Sequence, residues 1–383
     1  KHVWEQELKH DVDRSFLMEG ICNGFRIIEP GSVVTPVETQ NHKSALLHSE
    51  SVEKELRSQI IQGNYIVASE KPAVVSPLAA IPKGDGSGDI RLIHDGSRPV
   101  GQAMNDYATL NSERFQTIQD ACSLAKPGYW CAKVDLKAAY RSVPIHCNDY
   151  RVTGLKWQFA GEKKPTYLFD ARLPFGATKA PSHFHRLSQA IRRCLQRRGF
   201  KGVVVYIDDF LVVAPTYKEC NEALHTLIGL VRQLGFLISW NKVVGPTQRI
   251  TFLGVDIDTT DCTLSLGEQK LQKIEQMLQD FSGKKRACKR QLQQLAGLLN
   301  WACQAISGGK FFLRRILDSI KPLQQQHHKT KLSLDFQKDV QWWLTFVRSF
   351  NGVVYYGSGD VHHVHVDACN KACGTFWAGD WEF

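Results

Sequence analysis

The stretch 203–213 places two adjacent aspartates, Asp208 and Asp209, between two apolar runs. The runs are largely β-branched and lack helical spacing, so they predict two strands joined by a tight turn that carries the carboxylates. Adjacent acids at the tip of an apolar hairpin repel each other, and an ordered pair usually has a cation beside it. Aspartate pairs are also common in solvated turns. The rest of the chain decides between a metal site and a plain turn.

A third acid follows another apolar run. Asp135 lies where the strand-like segment 130–134 continues into a helical start. An acid at such a junction could serve as a helix N-cap. Alternatively, Asp135 faces Asp208 across a sheet, and three carboxylates surround a pair of divalent ions. An acid-only set suits Mg²⁺, with Mn²⁺ as an alternative ion, and two such ions about 3.5–4 Å apart promote in-line phosphoryl transfer.

Composition bounds the class of partner. The chain has 383 residues, of which 43% are hydrophobic, which predicts a globular protein of about two to four domains. A net charge of +10 favours an acidic polymer as partner. The sequence contains no apolar run of the roughly 18 residues that a membrane span needs.

The cysteines and the first residue bear on location and completeness. Eleven cysteines without repeated spacing suit reduced thiols in an intracellular protein. Lys1 in place of Met suggests a fragment of a longer chain.

A histidine and cysteine cluster near the end of the sequence allows a second kind of metal site. Its members are His362, His363, His365, Cys369 and Cys373. Zinc would use such ligands, but this cysteine spacing is not diagnostic, and residues 363–366 alternate like a strand. The strand is the preferred interpretation.

Two segments could bind phosphates or a sugar. The strand-like runs 76–83 and 90–95 flank a glycine-rich turn and predict a hairpin with Lys83 and Arg91 on its arms. Such cations grip phosphates, although solvated hairpin charges are the alternative. Pro174 and Gly176 predict a sharp entry in the loop 173–181, where small residues would let another chain or a base pair approach the backbone closely. A helix predicted from Ser182 to about Arg198 follows, and its basic end also suits the helix dipole.

The remainder of the chain carries weaker patterns. Residues 267–320 are helical and strongly basic, and such a region could lie on a nucleic-acid backbone. Residues 324–331 are polar and predict a linker, residues 335–350 predict an amphipathic helix, and residues 361–383 alternate as a hairpin. Residues 1–70 show no identifiable chemistry.

Taken together, the segments resemble reverse transcriptases over roughly residues 70–320, in order and spacing. The resemblance is carried by Lys83, Arg91, Asp95, the box Asp135–Tyr140, Leu173–Gly176, Tyr206–Asp209, Asn241 with Lys242, and Phe252–Gly254. The residues of these sequence motifs, together with Trp4 and the stretch 20–25, are most similar to those of the DIRS-like, tyrosine-recombinase retrotransposons.

The resemblance implies an α+β right-hand polymerase with fingers, a palm built on an antiparallel sheet and a helical thumb, followed by a connection and a truncated RNase H-like start. The implied bounds are a leader region at 1–70, fingers at 71–130, a palm at 131–260 with a fingers insertion at about 146–170, a thumb at 261–322, a connection at 323–360 and the RNase H-like start at 361–383. Asp367 would be the first RNase H metal acid. Its Glu and Asp partners are missing, so no RNase H activity is expected.

The family's site residues carry over onto matching positions. The implied metal ligands are Asp135, Asp208 and Asp209; the nucleotide would be held by Lys83, Arg91, Ala138, Ala139, Tyr140, Phe175 and Gly176; and the primer would be gripped by Phe252, Leu253 and Gly254. Tyr140 would clash with a 2′-hydroxyl, and Lys242 would protonate the leaving pyrophosphate. Phe175 departs from the retroviral pattern, which has glutamine there.

The implied function is RNA-directed DNA polymerisation with two Mg²⁺ ions, an RNA template, a DNA or RNA primer and dNTPs, inside the cell and without a membrane. One alternative is a catalytically silent nucleic-acid-binding subunit of the same fold, which the intact acids disfavour. Another is an RNA-dependent RNA polymerase, which Tyr140 disfavours.

Overall fold

The structure, a computed structural model, describes residues 1–82, 89–109, 113–357, 365–368, 373–377 and 380–382. The chain divides into two compact units, Lys1–Thr260 and Asp261–Phe383. Lys83 lies outside the described residues, as do His362, His363 and Cys369, so the zinc alternative stays untested. None of the helices within the described ranges combines the length and the apolar character that crossing a membrane requires.

The first unit mixes helices with short strands. Its helices are α1 (His2–Glu7), α2 (Arg14–Asn23), α3 (Lys43–Leu47), α4 (Ser49–Ile61), α5 (Ile118–Leu124), α6 (Ala180–Arg197) and α7 (Tyr217–Gln233). Its strands are β1 (Val37–Glu38), β2 (Tyr65–Val67), β3 (Val74–Val75), β4 (Leu78–Pro82), β5 (Ile90–His94), β6 (Trp130–Lys137), β7 (Gly154–Trp157), β8 (Thr166–Asp170), β9 (Val203–Tyr206), β10 (Asp209–Ala214), β11 (Leu237–Ile238), β12 (Val244–Thr247), β13 (Arg249–Phe252) and β14 (Val255–Asp258).

The second unit contains the remaining elements. Its helices are α8 (Glu268–Phe281), α9 (Lys289–Ala302), α10 (Arg314–Ile320) and α11 (Leu334–Phe346), and its strands are β15 (Thr263–Ser265), β16 (Arg286–Cys288), β17 (Lys329–Lys331), β18 (Val353–Val354), β19 (His365–Ala368), β20 (Cys373–Trp377) and β21 (Asp380–Glu382). The expected linker at 324–331 is partly wrong, because β17 pairs antiparallel with β16. The final strands form an antiparallel sheet in the order β19–β20–β21.

The central sheet of the first unit has the order β11–β6–β10–β9, with β12 also paired to β6. Alternate residues of these strands, including Val134, Val205 and Phe210, enter one apolar core with residues of α6 and α7. This period of two is the pattern that strand side chains follow. The predicted hairpin around the aspartate pair is therefore confirmed as β9 and β10, joined antiparallel.

A second sheet packs over a separate core. Its order is β1–β3–β7–β8–β2, and the hairpin predicted between residues 76 and 95 is present beside it as β4 and β5. Leu56 of α4, Leu78, Leu155 and Leu168 are fully buried in this core. Helix α4 therefore belongs to the packed body of the unit, although the sequence offered no chemistry for it.

The first 28 residues are anchored on helix α6. Trp4, Leu8 and Leu17 are buried in the same core as the central sheet. Arg193 bonds to both Asp11 and Asp13, with an Nη2–Oδ1 distance of 2.6 Å to Asp11, whose side chain is fully buried. The basic end of α6 thus pairs with leader acids, whereas the sequence had offered only the helix dipole as an explanation. A buried carboxylate requires such partners because desolvation disfavours its charge.

His183 of α6 supplies a pH-dependent contact with the leader. Its Nε2 lies 2.8 Å from the carbonyl oxygen of Arg26, and its ring packs against Phe16 and Phe25. Burial lowers the pKa of His183 from 6.5 to about 4. The folded state therefore holds neutral imidazole, whereas the unfolded chain takes up a proton near pH 6.5. The stability that depends on neutral His183 is present above that pH and is lost as the pH falls toward 4.

We expect His183→Gln to weaken this loss, because glutamine keeps an N–H donor for Arg26 but does not titrate. Between neutral pH and about pH 4, the free energy of unfolding of the wild type should fall by up to about 3 kcal/mol more than that of the variant. Urea denaturation at a series of pH values measures this difference. His225→Gln, at an exposed position of α7, is the control and should follow the wild type. Parallel pH profiles for wild type and His183→Gln would contradict the assignment.

Candidate active site

The aspartate pair lies at a two-residue turn. Tyr206 pairs with Asp209, so Ile207 and Asp208 form the turn between β9 and β10. Ile207 has a φ of 54°, a left-handed conformation that is costly for a β-branched residue. Two bonds hold the turn: Ser188 Oγ donates to the Ile207 carbonyl at 2.5 Å, and the Leu136 N–H donates to the Asp208 carbonyl at 3.1 Å. The backbone of Asp208 is therefore fixed by both the neighbouring strand and helix α6.

The third acid joins the pair through strand register. Asp135 lies within β6, directly opposite Asp209 of β10. The expectation that Asp135 faces Asp208 is therefore corrected by one residue, since Asp208 occupies the turn. The N-cap alternative for Asp135 is wrong because β6 continues to Lys137 and the next helical turn begins only at Ala139.

Burial and repulsion from neighbouring acids make Asp208 and Asp209 poor at holding a negative charge unaided. Burial, opposed by Lys242 and reinforced by Asp135, raises the pKa of Asp208. Burial, followed by the charges of Asp135 and Asp208, raises the pKa of Asp209 to about 6. Lys242 follows β11 in a short 3₁₀ turn and places its Nζ 3.0 Å from Asp135 Oδ2. The lysine thus offsets part of the negative charge.

Most of the predicted site residues line one cavity of about 650 Å³. The predicted residues in its lining are Arg91, Asp135, Ala138, Ala139, Tyr140, Phe175, Asp208 and Lys242. Asp209, Gly176 and the segment Phe252–Gly254 are outside this lining, although Asp209 remains the strand partner of Asp135. The structure therefore brings together acids, cations and aromatic rings from distant parts of the sequence.

Two aromatic rings form one side of the cavity. The ring centroids of Tyr140 and Phe175 are 5.3 Å apart, and Tyr140 also packs against Phe184 at 5.8 Å. Burial, with the nearby charge of Asp208, raises the pKa of the Tyr140 hydroxyl, so it stays protonated at neutral pH. Phe175 remains 56% exposed, so its ring is available to a ligand.

Gly176 supports the loop that carries Phe175. A Cβ at this position would lie 1.7 Å from the carbonyl oxygen of His94, so only glycine permits this approach. The Gly176 carbonyl also accepts a bond from Asn105 Nδ2 at 2.8 Å. The close backbone approach expected at this glycine is made by the end of β5.

The hairpin of β13 and β14 contains the predicted primer-binding residues. Phe252 pairs with Val255, and the turn residues Leu253 and Gly254 both have positive φ, which is the geometry of a type I′ hairpin turn. Phe252 is fully buried and anchors the hairpin rather than presenting a surface. A direct primer contact therefore stays a prediction for Leu253 and Gly254 alone.

Sequence reasoning missed several lining residues. They are Glu55, Gln59, Tyr65, Leu92, His94, Lys137, Arg141, Asp170 and Ser239, together with the apolar Ile90, Leu136 and Ile207. Arg141 and Asp170 form a nearly buried ion pair, with 2.8 Å between Nη1 and Oδ2. A lone charge inside each of two apolar segments was the available signal, because such residues are rarely buried without a partner.

Within the described ranges, no three His, Cys, Asp or Glu side chains already converge as a set of metal ligands. The chemistry of the acids nevertheless fits a hard divalent cation, because carboxylates whose pKa is raised by burial and repulsion gain most from a positive neighbour. The residues present thus fit a hard divalent cation.

The chain is similar to several known proteins. Residues 81–257 match the family model described as reverse transcriptase (RNA-dependent DNA polymerase). The chain is 26% identical to the Gag-Pol polyprotein of Koala retrovirus over 232 residues, which are 60% of this chain and 13% of that protein. It is 30% identical to the genome polyprotein of Petunia vein clearing virus over 200 residues, which are 52% of this chain and 8% of that protein.

The structure is similar to that of the foamy viral protease-reverse transcriptase, with a TM-score of 0.68 and 18% sequence identity, over 92% of this chain and 56% of that one. The fold is that of a right-hand polymerase, with mixed α and β content. Over residues 81–257, a little under half of its length, the chain is similar to reverse transcriptases of retroelement or retroviral type, a family that generally uses divalent metal ions. It spans only a small part of the polyproteins that it matches.

We expect Asp209→Asn to stabilise the metal-free protein. Because the pKa of Asp209 rises from 3.8 to about 6 on folding, its ionisation destabilises the fold progressively over that range and fully above it. After allowance for the partial exposure of Asp209, the free energy of unfolding of the variant in EDTA should exceed that of the wild type by about 1–2 kcal/mol at neutral pH. Below about pH 4 the two proteins should be equally stable. Thermal unfolding measures both values.

Added Mg²⁺ should reverse the order by raising the Tm of the wild type more than that of the variant, since a ligand that binds only the folded state stabilises it. Glu222→Gln, at an exposed position of α7, is the control for loss of one negative charge. Equal stability of wild type and Asp209→Asn at neutral pH in EDTA would contradict a pKa of Asp209 raised by burial and by the neighbouring acids.

Proposed function

We propose that this chain catalyses RNA-directed DNA synthesis, by transferring a nucleotide from a dNTP to the 3′-hydroxyl of a primer paired with an RNA template. The observation that carries the proposal is the cavity shared by Asp135, Asp208, Lys242, Arg91 and Tyr140. Acids for metal ions, cations for phosphates and an aromatic ring for the sugar are the groups that nucleotidyl transfer needs at one place.

The relatives support the same class of reaction. The matching family model is described as an RNA-dependent DNA polymerase. Similar solved structures are complexes of the foamy viral protease-reverse transcriptase with double-stranded DNA and with an RNA/DNA hybrid. An RNA template, a DNA or RNA primer and dNTPs are accordingly the partners that we propose here, and the net charge of +10 favours such polyanions.

Asp135, Asp208 and Asp209 are the proposed ligands of two Mg²⁺ ions, with Mn²⁺ as an alternative. When bound, the ions would supply stabilisation of negative charge on the attacking 3′-oxygen and the leaving pyrophosphate. The register of β6 and β10 holds Asp135 and Asp209 side by side, and the fixed turn presents Asp208 to the cavity.

The other cavity residues have proposed roles in binding and proton transfer. Arg91 and Lys83 would hold the triphosphate, and the short turn at Ala138 and Ala139 would approach the nucleotide with its backbone. Lys242 carries its proton on Nζ, 3.0 Å from Asp135, where it could protonate the leaving pyrophosphate. Tyr140 would exclude a 2′-hydroxyl from the sugar site. Leu253 and Gly254 would contact the primer end.

We also propose the type of element that encodes the chain, a further domain and a location in the cell. The residues of the sequence motifs support a DIRS-like retrotransposon as the source. The sheet of β19, β20 and β21, with Asp367 on its first strand, supports an RNase H-like start. An intracellular location is supported by the cysteines within the described ranges, nine of which are free thiols.

We expect Asp208→Asn to abolish primer extension. Loss of one metal ligand removes several kcal/mol of transition-state stabilisation, so the rate should fall about a thousandfold. The assay is extension of a DNA primer on an RNA template with dNTPs and Mg²⁺. Glu222→Gln should extend normally, because its side chain is exposed on α7. Extension by Asp208→Asn at the wild-type rate would disprove the assigned metal site.

The same assay separates the alternative functions. Template binding without extension, by the wild type as well as by the variant, would favour the silent nucleic-acid-binding subunit. Extension with rNTPs in preference to dNTPs would favour an RNA polymerase.

We expect Tyr140→Ala to admit ribonucleotides. Removing the ring leaves space for a 2′-hydroxyl, so the ratio of kcat/KM for dNTP to that for rNTP should fall at least about tenfold. Single-nucleotide incorporation with matched dNTP and rNTP measures this ratio. Tyr150→Ala is the control, since that ring stacks on Phe169 and does not line the cavity. An unchanged ratio in Tyr140→Ala would exclude the ring as the sugar filter.

A further inference from the structure

Tyr140 and Phe175 come from segments that are separate in sequence. Tyr140 lies in the 3₁₀ turn Ala139–Ser142 after β6, and Phe175 lies in the loop between β8 and α6. Their rings meet with centroids 5.3 Å apart and an interplanar angle of 43°. The space left for a sugar beside them therefore depends on how firmly these segments are held together.

Arg141 joins the two segments. Its backbone belongs to the turn that carries Tyr140, and its Nη1 donates to Asp170 Oδ2 at 2.8 Å, at the end of β8. The same nitrogen lies 3.5 Å from the carbonyl oxygen of Leu173, in the loop that carries Phe175. The Leu173 N–H donates to the Val143 carbonyl at 3.0 Å, which is a backbone link parallel to the side-chain one.

The guanidinium also contacts two further residues that line the cavity. Nη2 lies 3.4 Å from Gln59 Oε1, and the group lies 5.0 Å from the ring centroid of Tyr65. One planar group thus connects α4, β2, β8 and the 139–142 turn. Lysine offers a single charged nitrogen and cannot reproduce this set of contacts.

Asp170, the acid of the pair, is itself held by several hydrogen bonds. Its Oδ1 accepts the Arg172 N–H at 3.1 Å, and its backbone oxygen accepts Thr153 Oγ1 at 2.8 Å. His94 approaches the same carboxylate, with 3.9 Å between Nδ1 and Oδ2. Because backbone and neighbouring side chains hold Asp170, it is a rigid anchor for Arg141.

The ion pair of Arg141 and Asp170 is almost completely buried. The side chain of Arg141 is 10% exposed and that of Asp170 is 1% exposed. A buried ion pair adds little net stability over apolar residues of similar size, because desolvation offsets the attraction. The Arg141 Nε has no hydrogen-bond partner within the described ranges, which is a further cost of keeping arginine there. We therefore assign the ion pair a role in geometry and not in stability, because its bonds hold the cavity wall in one arrangement.

We propose that the buried Arg141–Asp170 pair sets the spacing of Tyr140 and Phe175 and thereby the preference of the sugar site for deoxyribose. This inference rests on the polymerase function proposed above. Arg141 acts as a positioning residue, since it works through Tyr140 and Phe175.

The test compares single-nucleotide incorporation by the wild type and Arg141→Lys. The variant should show a KM for dNTP about tenfold higher and a dNTP-to-rNTP ratio of kcat/KM about tenfold lower, with kcat for dNTP within about threefold of the wild type. Asp170→Asn should change both quantities in the same direction. If Arg141→Lys does not fold, the double variant Arg141→Met, Asp170→Leu replaces the pair by apolar groups and should show the same loss of discrimination.

Arg26→Lys is the matched control. Arg26 pairs with the buried Asp149, at 2.8 Å between Nη2 and Oδ1, and its own side chain is 30% exposed. Neither residue lines the cavity. This control should lower thermal stability and leave the nucleotide ratio unchanged, which separates positioning from general destabilisation.

Two results would overturn the inference while leaving the polymerase function intact. One is wild-type discrimination by Arg141→Lys or by the double variant; the other is an equal loss of discrimination in Arg26→Lys. No extension by the wild type with either dNTPs or rNTPs would instead overturn the proposed function, and this inference with it. The activity of the wild type therefore distinguishes the two failures.

Discussion

The pairing of β6 with β10 is the interaction on which the candidate site depends. Six residue pairs, from Asp209 with Asp135 to Ala214 with Trp130, fix the register of the two strands. A slip by one residue would turn Val134, Phe210 and Val212 out of the core, so apolar burial resists it. The same register places two acids side by side at the end of the sheet, against their mutual repulsion. The apolar core thus supplies the free energy that holds the charged groups together.

Backbone strain lies next to these acids on both strands. Ile207 precedes Asp208 with a φ of 54°, and Ala138 follows the end of β6 with a φ of 52°. Each conformation costs of the order of 1 kcal/mol or more for a residue other than glycine. Bonds from Ser188 and Leu136 hold the first turn, and the second begins the helical turn that carries Tyr140 and Arg141. Both distortions direct side chains into the cavity.

The parts of the structure that are local in sequence could be predicted from it. The hairpins of β4 with β5 and of β9 with β10 follow from β-branched runs and turn residues, and α6 and α7 from their apolar spacing. The ordered motifs also identified eight of the twenty described residues that line the cavity. What escaped prediction depends on register or on distant partners. The opposition of Asp135 to Asp209 rather than Asp208 is set by the length of a turn. The pairs Asp11–Arg193 and Arg141–Asp170 join separate segments of the sequence. The lysine-rich strand β17 resembles a linker in sequence, although it pairs with β16.

The leader contact has a consequence for the order of folding during synthesis. Trp4 Nε1 donates to the Leu234 carbonyl at 3.1 Å, across 230 residues of sequence, and its ring packs on Phe236. A ribosome that adds about 5–20 residues per second needs tens of seconds to cover such a distance. Helix α1 therefore leaves the exit tunnel long before α7 exists, and its apolar face has no native partner in the interval. The residues near the start of the sequence are thus among the last of the first unit to reach their final environment, and their burial marks the completion of that unit.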